Sequence, residues 1–173
     1  MIGSGSSGAD IAAELSEVAA RVELSSRSGA YFIPQVVNGH PYDTQLNRIG
    51  RLIPPNLSKP LFRRVIFDLY KKNGFTEETL GLLHLPAFDP VRARFVPTGN
   101  LLEKILNHTV HIRPDIARIE PEGVIYTDHA RMEADTLIYC TGYSLHFPFL
   151  APAIITVTER NQLGVYKRVF HPE

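Results

Sequence analysis

Six residues near the start carry the chemistry. Gly3-Ser4-Gly5-Ser6-Ser7-Gly8 fits G-x-G-x-x-G, the spacing with which a chain leaves a strand and enters a helix against a diphosphate. Gly3 permits the tight turn, Gly5 lets backbone approach the pyrophosphate without a Cβ, and Gly8 lets helix and strand pack closely. The helix that follows offers unpaired N–H groups and a partial positive charge to the anion. The serines between the glycines, Ser4, Ser6 and Ser7, belong to the same cradle. A P-loop would need Lys and Ser/Thr after Gly8, where Ala9 and Asp10 stand, and no serine has the glycine flanks of a nucleophile elbow. No tyrosine is followed four positions later by lysine, so the short-chain dehydrogenase pattern is missing as well.

The kind of dinucleotide is decided where the second strand ends, by an acid for free ribose hydroxyls or a base for a 2′-phosphate. Glu23 stands at a suitable distance for an NAD-type acid, but between Val22 and Leu24 alternation puts it in mid-strand on the other face. The tip is Ser25-Ser26-Arg27-Ser28. A guanidinium able to donate a bidentate pair, among hydroxyls able to donate single bonds, suits a phosphate. This reading favours NADP, held by Ser25, Ser26 and Arg27.

The elements that must position these residues are legible around them. Ala9 to Ala20 are strong helix formers with Ile11, Leu15 and Val18 as one apolar stripe, and Arg21 to Ser26 reads as a strand. Prolines punctuate the stretch from Gly29 to Gly99, which predicts that it stays out of a central sheet. Within it Ser58 is placed to cap a helix over Lys59 to Asn73, with Pro60 in the first turn and Gly74 as its stop. Asn100 and Glu103 form a capping-box pattern for Leu101 to Asn107. Val110 to Ile112, Ala117 to Glu120 and Gly123 to Thr127 read as strands, and Thr136 to Cys140 as a strand buried on both faces. Strand, helix and strand recur on both sides of the proline-rich stretch, so the expectation is an α/β fold: a Rossmann-like NAD(P)-binding domain, three-layered, with an open, largely parallel sheet whose first strand is truncated to Met1 and Ile2.

Composition narrows the function further. The 173 residues carry 18 basic and 18 acidic side chains, so no net field holds a polyanion, and nucleic acid is not an expected partner. A single cysteine excludes an intrachain disulfide and a cysteine-pair zinc site, and points to a reducing, intracellular setting. No apolar run approaches the ~20 residues that span a bilayer, and the N-terminus lacks the layout of a signal peptide. His108 and His111 straddle a helix-to-strand junction without a third ligand, so no metal is expected, and no catalytic triad or paired carboxylates stand out.

Two runs carry a closer likeness. Ile2 to Tyr31, reading IGSGSSGADIAAELSEVAARVELSSRSGAY, resembles the NADPH-binding segment of flavin-containing monooxygenases. Asp135 to Ser144 resembles the same family's A-T-G-Y segment, with Cys140 where alanine is common, and Leu145 to Leu150 resembles its continuation. The resemblance extends over essentially the whole chain. It implies an NADPH-binding domain over 1–143 with a helical insertion at about 30–100 that helps cover the cofactor, and over 144–173 the start of the return segment to an FAD domain. It also implies that Thr141, Gly142 and Tyr143 lie near the cofactor junction. By the same resemblance NADPH passes hydride to FAD, and the reduced flavin with O2 oxygenates soft nitrogen or sulfur centres of a small nucleophilic substrate, as in N,N-dimethylaniline monooxygenases. The family's FAD glycines and its F-x-G-x-x-x-H segment have no match here, so the chain is expected to be part of a larger protein. The alternative is a stand-alone NADP-binding module without turnover. The family's setting is cytoplasmic or at the endoplasmic-reticulum membrane.

Overall fold

A computed structural model of the chain describes residues 1–44, 55–86, 94–151, 154–155, 157–158 and 161–163. It divides into two compact units, Met1–Thr141 and Gly142–Glu173.

In the first unit the chain opens as a short extended segment and turns at once into α1 (Ser6–Leu15). The buried face of α1 is Gly8, Ala9, Ala12 and Ala13. Ile11 is 37% exposed and Val18 84%, so the apolar stripe read from the sequence is not the packed face. Small side chains allow the helix axis to lie close on the strands beneath, where Ile11 would hold it away. The helix also stops at Leu15, which leaves Val18 beyond it.

β1 (Val22–Ser25) pairs in parallel with β6 (Val110–Arg113), Leu24 opposite Ile112. On the other flank of β1 lies the N-terminal segment: Ile2 bridges Ser25 on one side and Tyr139 on the other, both in parallel. Ser25 donates its N–H to Met1 O, Gly3 to Ser25 O, Ile2 to Ile138 O and Cys140 to Ile2 O. The parallel order is therefore 138–140, 1–3, 22–25, 110–113, and the fold mixes helices with parallel strand pairs as an α/β protein does. The expected buried strand Thr136 to Cys140 forms only this single bridge, and Tyr139 is 63% exposed. Ile2 is its one strand neighbour among the described residues, which is too little pairing to shield it.

Between β1 and β6 the proline-rich stretch does contribute strands. β2 (Tyr31–Pro34) and β5 (Phe95–Thr98) form a second parallel pair, with Tyr31, Phe32, Ile33, Val96 and Thr98 buried. Pro34 and Pro97 are tolerated because each strand of a two-stranded pair has an edge that needs no N–H. β3 (Val36–Val37) and β4 (His40–Pro41) make a small antiparallel ribbon. α2 (Pro55–Lys72) starts earlier than expected, so Pro60 lies inside it, and proline suits its first position. A 3-10 turn (Thr79–Leu83) and α3 (Leu101–Leu106) follow, and Ile66, Tyr70, Phe75, Leu83, Leu101 and Ile105 fill the core. Asn100 stands at the start of α3 without a side-chain cap bond, so the capping box is not made. The unit ends in an antiparallel meander, β7 (Ile116–Glu120), β8 (Gly123–Tyr126) and β9 (Arg131–Glu133).

In the second unit Asn161 ties the backbone together, accepting from Leu145 N–H at 2.6 Å and donating to Tyr143 O at 2.8 Å.

Candidate functional site

The glycine turn is fixed by backbone packing. Gly3 has φ +104°, and a Cβ there would stand 2.4 Å from Cys140 O. A Cβ on Gly8 would stand 2.0 Å from Gly3 O. Thus two of the three glycines are needed because the chain passes itself too closely for any side chain. Gly5 is the helix N-cap, in extended conformation and without a side-chain cap bond, and its carbonyl accepts from Ala9 N–H at 2.9 Å. The N–H groups of Ser6, Ser7 and Gly8 consequently open the helix with no intrahelical acceptor, and no acidic residue in the first turn offsets their charge. Ser6 and Ser7 are exposed there. The arrangement fits an anion.

The serines at the tip of β1 have another duty. Ser4 and Ser26 share a buried Oγ–Oγ hydrogen bond of 2.6 Å, and Ser25 Oγ donates to Pro114 O at 2.8 Å. These bonds brace the glycine turn, the end of β1 and the end of β6 against one another. Arg27 and Ser28 remain exposed beyond them. A cavity of about 160 Å³ is lined by Gly3, Ser4, Arg27, Ser28 and Thr141, and also by Arg94, which the sequence reading did not find. Arg94 reaches the site by topology, at the start of β5, and no spacing rule connects it with the glycine turn. Asp115 lines the same cavity, with Oδ1 accepting from Ile116 N–H at 3.0 Å.

Residues 1–173 match the family model described as flavin-binding monooxygenase-like. The chain belongs to that family. It is 34% identical to flavin-containing monooxygenase 3 of Rattus norvegicus, 35% to flavin-containing monooxygenase 3 of Homo sapiens and 31% to human flavin-containing monooxygenase 1. These alignments cover 98 to 100% of the chain but 32% of each relative, so the chain spans about a third of their length.

In this flavin-binding monooxygenase-like chain neither Glu23 nor His108 and His111 line the glycine cavity. Glu23 is an ion-pair hub: Arg21 Nε lies 2.6 Å from Oε1, and Arg113 Nε hydrogen-bonds Oε2. That hydrogen bond holds the Arg113 guanidinium above its ordinary range. The acid is spent on joining strands. A larger cavity of about 420 Å³ lies beside it, lined mainly by Leu15, Ala19, Val124 and Met132. It is also lined by the ion-paired Arg21 and Glu23, whereas Arg27 and Arg94 of the glycine cavity have no ion-pair partner among the described residues. The rings of His108 and His111 lie 6.3 Å apart, and among the described residues no three His, Cys, Asp or Glu are placed to hold a metal. Gly142 and Tyr143 open the second unit, Gly142 with φ +99° and Tyr143 89% exposed. No helix among the described residues is long and apolar enough to cross a membrane.

Proposed function

We propose that this chain is the NADPH-binding part of an FAD- and NADPH-dependent monooxygenase that oxygenates soft nitrogen or sulfur nucleophiles, with a Rossmann-like domain as its scaffold. The glycine turn carries the reading: Gly3 and Gly8 leave no room for a Cβ, and the N–H groups of Ser6, Ser7 and Gly8 open the helix without intrahelical acceptors. The family membership and the parallel order around Ile2 support it.

When bound, NADPH supplies hydride and FAD the oxygen chemistry, and no residue of this chain is assigned to FAD. The chain's own part is positioning. The amides of Ser6, Ser7 and Gly8 would donate to the diphosphate, beside Gly5, whose missing Cβ leaves room there for the Arg94 guanidinium. Ser4 and Ser26 hold the turn and strand tip at fixed separation, so that Arg27 meets the 2′-phosphate, and Ser25 anchors that tip through Pro114. Thr141 edges the same cavity. Gly142 and Tyr143 enter through the family resemblance alone.

The test is calorimetric titration of the purified chain with NADP and NAD. Arg27→Ala is expected to weaken NADP about ten- to a hundredfold, the worth of a charge-assisted pair, and to leave NAD within about twofold. Glu23→Gln should leave the NADP-to-NAD ratio unchanged. Equal losses for both dinucleotides in Arg27→Ala would refute the phosphate assignment.

A further inference from the structure

Arg94 holds a position that an isolated cation would avoid. Its backbone is pinned, since the carbonyl accepts Tyr31 N–H at 2.8 Å where β2 and β5 begin to pair. From that root the side chain reaches the start of α1. Its Nη2 lies 2.9 Å from the point a Cβ on Gly5 would occupy. The guanidinium therefore stands at the positive pole of a ten-residue helix whose first turn holds no acid. No carboxylate lies within ion-pair distance of it among the described residues, and Asp115, the acid of the same cavity, is engaged by Ile116 N–H. Guanidinium and helix pole repel one another unless an anion lies between them.

Two cations face one cavity, Arg27 from the end of β1 and Arg94 from the start of β5. A phosphorylated dinucleotide has two separate anionic groups, and only one of them is shared by NAD and NADP. Arg27 follows the strand tip that reads the ribose, whereas Arg94 sits against the glycine that admits the diphosphate. We infer that Arg94 is the side-chain counter-ion of the diphosphate, an inference that rests on the dinucleotide reading above. Being planar and forked, its guanidinium can donate a pair of hydrogen bonds to diphosphate oxygens beside Gly5. It adds affinity without discriminating between the two coenzymes.

Titration of the 173-residue chain with NADP and with NAD tests this directly, with Arg94→Ala and Arg94→Lys beside the parent. Arg94→Ala should lose roughly ten- to a hundredfold in affinity for both coenzymes by the same factor, the opposite signature from Arg27→Ala. Arg94→Lys keeps the charge but not the fork and should fall between the two. The side chain is exposed and removing it relieves the repulsion at the helix pole, so without coenzyme Arg94→Ala should melt at or slightly above the parent and Arg94→Lys level with the parent. Three results would overturn the inference while leaving the dinucleotide reading intact: unchanged affinities, a loss confined to NADP, or tighter binding of both, which would make Arg94 a plug. Failure of the parent chain to bind either coenzyme would remove the dinucleotide reading and Arg94's role with it.

Discussion

Replacing Gly8 with alanine adds one methyl group where the structure has no space for it. The new Cβ would lie 2.0 Å from Gly3 O and 3.1 Å from Gly3 C, and both are backbone atoms. Real Cβ contacts essentially never fall under 3.0 Å, so the first turn of α1 must retreat from Gly3 by about 1 Å. Gly3 cannot give way in turn, because its own Cα faces Cys140 O across the bridge to Ile2. Overpacking of this kind costs about 1–3 kcal/mol, and alanine's better helix propensity returns about 0.5–1 kcal/mol. The net loss is at most about 2.5 kcal/mol and centres on about 1.5 kcal/mol, which corresponds to about 3–6 °C in Tm for a chain of this size. A shift of about 1 Å also lengthens the N–H contacts to a diphosphate past hydrogen-bonding range, so coenzyme affinity should fall at least about tenfold. Circular-dichroism melts and calorimetric titration measure the two effects on one sample. Gly81→Ala, where a Cβ meets nothing within 4 Å, is the control and should leave affinity unchanged and Tm level or slightly raised. A Gly8→Ala chain that melts with the parent and binds NADP equally would show that the close approach does not constrain the turn.

Two other outcomes follow from the hydrogen bonds and ionisations. Ser4→Ala and Ser26→Ala each strand the partner hydroxyl in a buried place, at about 1–3 kcal/mol, whereas the double variant strands neither, so urea unfolding should give a double-variant cost clearly below the sum. Additive costs would mean the two hydroxyls do not interact. Burial holds the His111 imidazole below its ordinary value of 6.5, although the Glu23 carboxylate opposite it pulls the other way. The unfolded chain then takes up this proton first, so the group's contribution to stability is complete above pH 6.5 and is lost as pH falls from there through the folded value. His111→Gln should flatten the decline in Tm between about pH 7.5 and 5.5, and a slope unchanged by the substitution would refute the assignment.

Much of this arrangement could be read from local patterns, because the glycine turn, the helix start and β1 are contiguous in sequence and their geometry follows from residue type. The hairpin of β7 and β8 was legible for the same reason, with Pro121-Glu122 as a turn between two short strand-forming runs. What escaped the reading was set by tertiary packing. The choice of Ala9, Ala12 and Ala13 over Ile11 as the buried face of α1 depends on how near the strands lie, which periodicity does not report. Pro34 and Pro97 argued against strands, but the penalty applies to strands paired on both sides, and β2 and β5 have one partner each among the described residues. Conversely, the apolar run before Thr141 looked like a central strand and has too little pairing to be one. Arg94 was invisible since its neighbour Gly5 is remote in sequence and only the β2–β5 pairing carries it there.

Charge placement explains how a chain with no net charge presents an anion site. Eighteen acids balance eighteen bases, so a field at the glycine turn has to come from local asymmetry. Most of the described ion pairs cancel themselves elsewhere: Glu23 absorbs Arg21 and Arg113, Glu120 absorbs Arg118 and Arg131, and Glu17 takes Lys104. Around the glycine cavity the balance differs. Arg27 and Arg94 face one carboxylate, Asp115, which is partly satisfied by a backbone amide, and Arg94 also reaches Gly5 at the start of α1. The ion pairs that secure the strands thereby leave two cations, Arg27 and Arg94, together at the glycine cavity. On the proposed reading, anion selectivity would come from the cations that the fold gathers at the glycine turn without acids, the arginine after β1 and the arginine before β5.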